Sequence, residues 1–341
     1  MKEIAYSFAI IGDVISVEPY GEGHINRTYL VTTDKMRYIL QRMNENVFVD
    51  IDGLMQNIVK VTEFIKSKGM ETLSVVPTKD GKRYLKGGTG FYRMYEFIEN
   101  TVTYQTVTDK KMFELCGEAF GNFQNALKDF NAALLTETIP YFHDTRKRYR
   151  DFIRAVKADV CGRAETCKDE IEFITKRKDT YGKITDMLKS GELPLRVTHN
   201  DTKLNNVLID ADSGKPRAVI DLDTVMPGSL LYDFGDGIRF GASTAKEDEK
   251  DLDKVHFSPE LYEAYKTGFL RAANGGITEK EMELLPYSAY LMTIECGMRF
   301  LTDYLCGDIY FATKYVEHNL VRARTQLKLA SEMENNFRFN H

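Results

Sequence analysis

Near residue 100 the hydrophobic pattern of this chain changes period, from strand-like alternation to helical stripes, and any fold must accommodate both halves. Residues 13–42 contain three alternating runs, VISVEPY, RTYLVTT and RYILQR, broken at GEGH and around Asp34-Lys35, which predicts three strands. Residues 50–68 carry apolar side chains at 51, 54, 55, 58, 61 and 65 and close at Gly69, the pattern of an amphipathic helix. LSVVPT, DGKRYLK and FYRMYEFIE then predict further strands, joined by turns at Asp80-Gly81 and Gly87-Gly88. After Thr101 the spacing predicts helices over 109–130, 144–160, 167–190, 258–273, 278–305 and 308–335. Between 190 and 240 the runs LPLRVTHND, NNVLIDAD and PRAVIDLD are again short and β-rich. The expected class is α+β: a small antiparallel lobe with one helix over residues 1–100, then a larger helical lobe over 101–341 carrying an acid-rich β insert. The opening MKEIAYSFAIIGDV holds Glu3 and lacks a small-residue cleavage site, so it reads as a first helix and not as a signal peptide.

Composition narrows the function classes. A net charge of −5 argues against a broad nucleic-acid surface, which needs a basic face. No apolar run approaches the ~18 residues of a membrane span. The five cysteines, at 116, 161, 167, 296 and 306, form no CxxC pair, so reduced thiols and a cytoplasmic setting are expected.

The most informative stretch is RVTHNDTKLNNVLIDADSGKPRAVIDLDTVMPGSLLYDFGD, residues 196–236. Asp201 follows a strand and shares its loop with His199, Lys203, Asn205 and Asn206, while Asp221 and Asp223 end a second apolar strand twenty residues on. Mg²⁺ typically takes one or two carboxylates and leaves its other positions to water and substrate phosphates. Asp221 with Asn206 suits that demand and leaves Asp201 as base or orienting group for an acceptor hydroxyl. The spacing His199-x-Asp201-x-x-x-x-Asn206 is that of a kinase catalytic loop.

On these motifs, with Asp221 and the later Asp233 in the same order, the chain resembles the aminoglycoside phosphotransferase/choline kinase superfamily, whose fold is two-lobed and protein-kinase-like. GHINRTYLV (23–31), YILQRMNENVF (38–48), HNDTKLNN (199–206), IDLDTVMPG (220–228), DFGDGIRFGASTAKEDEKDL (233–252) and ECGMRFLTDYL (295–305) look closest to bacterial N-acetylhexosamine 1-kinases. That resemblance implies transfer of phosphate from ATP, with Mg²⁺, to the anomeric hydroxyl of GlcNAc or GalNAc. It implies Asp201 as catalytic base, Asn206 and Asp221 as metal ligands with Asp223 as a possible helper, and Gly21 and Gly23 at the turn over the phosphates. It places Glu96, Phe97 and Ile98 at a hinge against adenine, and His24 and Arg299 toward the sugar or the transferring phosphate. The family's third strand normally supplies a phosphate-binding Lys or Arg. The candidates here are Gln41 and Arg42; an inward Gln41 departs from that pattern, so the phosphate charge must be met elsewhere, with Lys203 a candidate.

Plainer readings stand beside these. Asp201 and Asp223 also suit turns or caps, His199 and Asp233 suit structural support of the loop, and Gly21 and Gly23 suit an ordinary hairpin. Glu295, Arg299 and Asp303 lie at i, i+4 spacing, which alone yields ion pairs. Choline, homoserine or aminoglycoside kinases of the same fold remain alternatives, as does a non-catalytic nucleotide-binding module. The run Ala218–Val225 also fits the DxDxT strand of a phosphatase, but the mainly helical chain that follows lacks the required series of βα units. The sequence assigns neither a protein partner nor an oligomeric state.

Overall fold

The structure is a computed structural model and describes residues 1–21 and 26–339. Gly23 and His24 therefore lie outside the described residues. The first part comprises α1 (Lys2–Ala5), β1 (Val14–Pro19), β2 (Arg27–Thr33), β3 (Arg37–Arg42), α2 (Ile51–Ser67), β4 (Val75–Val76), β5 (Leu85–Gly87) and β6 (Gly90–Glu96). The strands form one antiparallel sheet in the order β1-β2-β3-β6-β4, with β5 also paired to β6. The mainly helical remainder comprises β7 (Thr101–Val102), α3 (Lys110–Leu127), α4 (Thr145–Ala158), α5 (Lys168–Lys176), α6 (Lys183–Ser190), β8 (Arg196–Thr198), β9 (Val207–Asp210), β10 (Pro216–Val219), β11 (Met226–Gly228), α7 (Leu230–Gly241), α8 (Pro259–Ala273), α9 (Glu279–Cys306) and α10 (His318–Phe337). This is the expected α+β class: an antiparallel sheet with one long helix, followed by helices that carry the β insert.

Sheet parity decides what faces the site. Tyr38, Leu40, Tyr92 and Met94 pack with Ala5, Phe8, Val14 and Val31 in a core on the outer face. Their alternates Ile39 and Tyr95 join the larger core shared with α2 and the helices. Gln41 and Arg93, directly paired across β3 and β6, belong to that second face. α2 forms where its stripe predicts, capped by the Asp50 side chain, which accepts from Gly53 N at 2.8 Å. α3 and α8 meet backbone to backbone: a Cβ on Gly117 would stand 2.1 Å from Tyr265 O, and one on Gly268 2.0 Å from Glu114 O. Neither position admits a side chain.

The structure differs from the sequence expectation at several ends. The first helix is four residues long. The stripe over 167–190 breaks into α5 and α6 around a short turn at Lys178–Thr180. The last helix starts at His318, not 308, because the Asp303 carboxylate accepts from Ile309 N at 3.0 Å, Tyr310 N at 2.8 Å and Phe311 N at 2.9 Å, holding that segment as a loop. α7 was not expected at all. Its sequence LLYDFGDGIRFG is rich in glycine, a poor helix former, yet the helix is almost wholly buried. A Cβ on Gly235 would stand 2.3 Å from Ser288 O, so close packing on α9 explains that glycine.

Candidate active site

The catalytic-loop motif lies between β8 and β9, and α7 holds it from below. Asp233, in the first turn of α7, is fully buried and accepts from His199 N at 3.0 and 2.9 Å, Asn200 N at 2.8 Å and Gln124 Nε2 at 2.8 Å. Burial pushes its carboxyl up to about 6, even though those donors and His199 pull it down. Asp236, one turn on, accepts from Thr202 N at 2.9 Å and from Arg239 Nε at 2.8 Å. Burial alone would raise Asp236; Arg239 and Lys203 overcome it and hold the group below the usual carboxylate range. The two α7 carboxylates thus fix three residues of the loop, His199, Asn200 and Thr202, through their backbones, with Asn200 in the left-handed region at φ 66°.

His199 supports the loop and does not face solvent. Its Nδ1 accepts from Asp201 N at 3.3 Å and its Nε2 lies 2.9 Å from Ile220 O, a pair of contacts that assigns the Nε2–H tautomer. Phe120 and Phe123 pack edge-on against the ring at 5.5 and 5.7 Å. The same ring therefore ties the catalytic loop to the strand that delivers Asp221. Ile220 N donates to Asn206 O at 2.9 Å and makes the second tie.

Asp201 is half-buried. Asn206 Nδ2 donates to its Oδ2 at 3.0 Å and its carbonyl at 2.9 Å, and Lys203 Nζ lies 2.7 Å from Oδ1. For Lys203, partial burial would lower the ammonium; the Asp201 pair and Asp236 outweigh it and raise the group. Having given its NH₂ to Asp201, Asn206 has an Oδ1 that no donor meets among the described residues. Asp221 sits at φ 59° and is exposed. The surrounding protein, then the charges of Asp223 and Asp201, push its carboxyl up to about 7, against relief from Arg93 and Lys203. The Asp201 charge is among those acting on the Asp221 carboxyl, so the two groups lie within electrostatic reach of one another.

Asp223 needs a correction. Its Oδ2 accepts from Asn26 Nδ2 at 2.6 Å and its Oδ1 lies 2.5 Å from Arg93 Nη1, both partners nearly inaccessible to solvent. That carboxylate is committed to an ion pair and is not presented to a metal. Arg42 needs one as well. Gln41 points inward, where its Oε1 accepts from Arg93 Nε at 2.9 Å and its Nε2 donates to Thr28 Oγ1 at 3.1 Å. The pleat then turns Arg42 to the outer face, beside Arg27, Asn44 and Glu45. Arg93 and Asn26 are side chains beside the candidate site that sequence reasoning missed. The signal was present in FYRMYE: one charge inside an apolar strand, on the same face as Tyr95.

The remaining candidates fall as follows. Gly21 adopts φ 75°, a turn conformation that glycine takes without strain. Glu96 closes β6, its N–H donating to Ser74 O at 3.0 Å, and Ile98 packs on the main core where the chain crosses between the lobes. Arg299 makes no ion pair among the described residues. Its expected partners are engaged elsewhere: Glu295 with His143 Nδ1 at 2.7 Å and with Thr145, and Asp303 with the 309–311 loop. The Arg299 guanidinium instead lies 5.4 Å from the Phe142 ring centre, 5.6 Å from Phe311 and 6.0 Å from Tyr310. Arg148 is near enough that burial, then Arg299, lower its own basicity.

Among the described residues no group of three His, Cys, Asp or Glu side chains is disposed to hold a metal. The donor set here is one carboxylate, Asp221, and one amide oxygen, Asn206. It suits a hard cation that takes most of its oxygens from a phosphate ligand and water. The charges of Asp223 and Asp201 that act on Asp221 are ones such a cation would offset. No helix among the described residues is long and apolar enough to cross a membrane.

Comparison with known proteins gives the same grouping. Solved structures of similar fold include a microcompartment-associated aminopropanol kinase, at 14% identity over 98% of this chain and 97% of that one with a TM-score of 0.62. A spectinomycin phosphotransferase solved with ADP and spectinomycin matches at 13% identity over 95% and 94%, TM-score 0.57. A choline kinase from Streptococcus pneumoniae matches at 13% identity over 93% and 94%, TM-score 0.55. At these identities the likeness is one of fold. The sequence model of the phosphotransferase enzyme family, APH, matches residues 16–274, which include the sheet, the catalytic loop, Asp221 and α7, and the chain is therefore a member of that phosphotransferase family.

Proposed function

We propose that this phosphotransferase is an ATP- and Mg²⁺-dependent kinase of N-acetylhexosamines, acting on the anomeric hydroxyl of GlcNAc or GalNAc. The observation that supports the kinase part of the reading is an Asp201 braced by Lys203 and Asn206 on one loop, with its charge acting on Asp221. Asp201 keeps lone pairs beyond those met by Lys203 and Asn206, and one of them would accept the acceptor hydroxyl and take its proton as the phosphoryl group arrives. An anomeric hydroxyl is more acidic than an ordinary alcohol, which suits a carboxylate base. Lys203, on the same loop, would balance charge on the phosphate side. Asp221 and Asn206 would hold Mg²⁺, which when bound offsets phosphate charge. Residues 1–100 would form the nucleotide-binding lobe, with Glu96 and Ile98 at the adenine hinge and Gly21 and Gly23 over the phosphates.

The substrate assignment rests on the sequence resemblance and on Arg299. Choline recognition asks for aromatic faces free to receive a quaternary ammonium. Here Phe142, Phe311 and Tyr310 already face a guanidinium, which offers hydrogen-bond donors to hydroxyl or carbonyl oxygens of a neutral acceptor. Removing it in Arg299→Ala is expected to raise KM for the acceptor by about tenfold while KM for MgATP stays within about twofold. Equal effects on both substrates would reassign Arg299 to structure. The reading as a whole is tested by ATP consumption with GlcNAc, GalNAc, glucose and choline in parallel, with the phosphorylated position located by ³¹P and ¹³C NMR. Turnover is expected with the two N-acetylhexosamines at C1; preferential turnover of choline, or transfer to another hydroxyl, overturns it.

A further inference from the structure

The third strand presents Gln41 to the cleft, so the nucleotide side of this kinase lacks the basic residue that strand would supply. The nearest cation on the same face is Arg93, one strand over. It is 1% exposed, donates through Nε to Gln41 Oε1 at 2.9 Å, sets Nη1 2.5 Å from Asp223 Oδ1, and lies 5.3 Å from the Tyr95 ring centre. Its carboxylate partner belongs to the other half of the molecule, two residues past Asp221. Asp223 also accepts from Asn26 Nδ2 at 2.6 Å, and Asn26 Oδ1 accepts from Asn44 N at 3.0 Å. One buried ion pair thus joins the sheet, the start of β2, the segment after β3 and the Asp221 turn.

We propose that the Arg93–Asp223 pair, braced by Asn26 and Gln41, is a strut between the lobes that takes over the positioning work of a third-strand basic residue in nucleotide binding. It rests on the kinase reading. Arg93 is too enclosed to reach a phosphate, so it acts through what it holds. It keeps Asp223 off the metal position, which leaves Asp221 as the carboxylate of that turn offered there, and it fixes the height of the sheet over the Asp221 turn. A buried charge stripped of its partner is strongly destabilising, whereas a pair replaced on both sides is tolerated. The sequence therefore has to carry both residues or neither.

The test compares Arg93→Lys, Asp223→Asn and the double variant Arg93→Met/Asp223→Asn with the intact protein. The double variant leaves no unpaired buried charge and is expected to fold. Affinity for MgADP is read by calorimetry, and KM for MgATP and for the acceptor by initial rates. The double variant is expected to lose about tenfold or more in MgADP affinity and to show a KM for MgATP raised by about tenfold or more, with acceptor KM within about twofold. Arg93→Lys is expected to recover part of that loss. A double variant with unchanged MgADP affinity, or one whose acceptor KM rises equally, overturns the strut. MgADP affinity is measured without an acceptor, so a protein that binds nucleotide through the strut but phosphorylates no hexosamine refutes the substrate assignment and not this inference.

Discussion

Replacing Asp201 by asparagine is expected to lower kcat by about two to four orders of magnitude while MgADP affinity changes by about twofold at most. The substitution removes the proton acceptor and keeps the shape of the loop. The loop does not depend on the Asp201 carboxylate for its course, since His199, Asn200 and Thr202 are held through their backbones by Asp233 and Asp236. Lys203 still finds an oxygen at position 201. Asp201→Ala serves as a second variant, because an amide at 201 also alters what Asn206 Nδ2 meets. Both variants are expected to show the same loss in single-turnover rate. If either retains near wild-type kcat, Asp201 leaves the mechanism and the loop becomes a binding element only.

The loop and turn that make up the candidate site were legible in the sequence because they are local. Asp201, Lys203 and Asn206 share one loop, and the strand ending at Asp221 is short, apolar and closed by a turn, so spacing alone brings them close. The strands β1 to β3 were legible for the same reason: alternation over six or seven residues with clear breaks. What was not legible depends on contacts distant in sequence. The Arg93–Asp223 pair spans separate lobes, and nothing in FYRMYE says which carboxylate its arginine meets. Arg42 was a fair alternative to Gln41 until the sheet register fixed the pleat. The pairing of Glu295 and Asp303 with Arg299 followed from helix spacing, yet His143 and the 309–311 backbone take those carboxylates from outside the helix. α7 was hidden because its glycines answer to the close approach of α9, and local propensity reads them as breakers.

Asp221→Asn is expected to abolish Mg²⁺-dependent nucleotide binding and, with it, turnover. Its sign on stability is the opposite, and the two effects together identify a ligand site. In the metal-free protein the Asp221 carboxyl is raised from 3.8 to about 7. Between those values the folded protein holds a proton that the unfolded chain has lost. The stabilising protonated state is therefore fully present below about 3.8 and is lost as the pH rises through about 7. Asparagine mimics that neutral state at every pH. The variant should melt at a higher temperature than the metal-free wild type at pH 8, and the gap should narrow as the pH falls toward 5. Added MgADP should raise the melting temperature of the wild type and leave the variant unmoved. Binding of Mg²⁺ to the wild type below pH 7 must displace a proton, so its affinity should weaken as the medium is acidified, while a calorimetric titration in buffers of different ionisation heat reads the proton released. A variant that is no more stable than the wild type at pH 8, yet still responds to MgADP, would show that Asp221 neither carries the frustrated charge nor holds the metal, and the cleft would then have to be read from Asp201 alone.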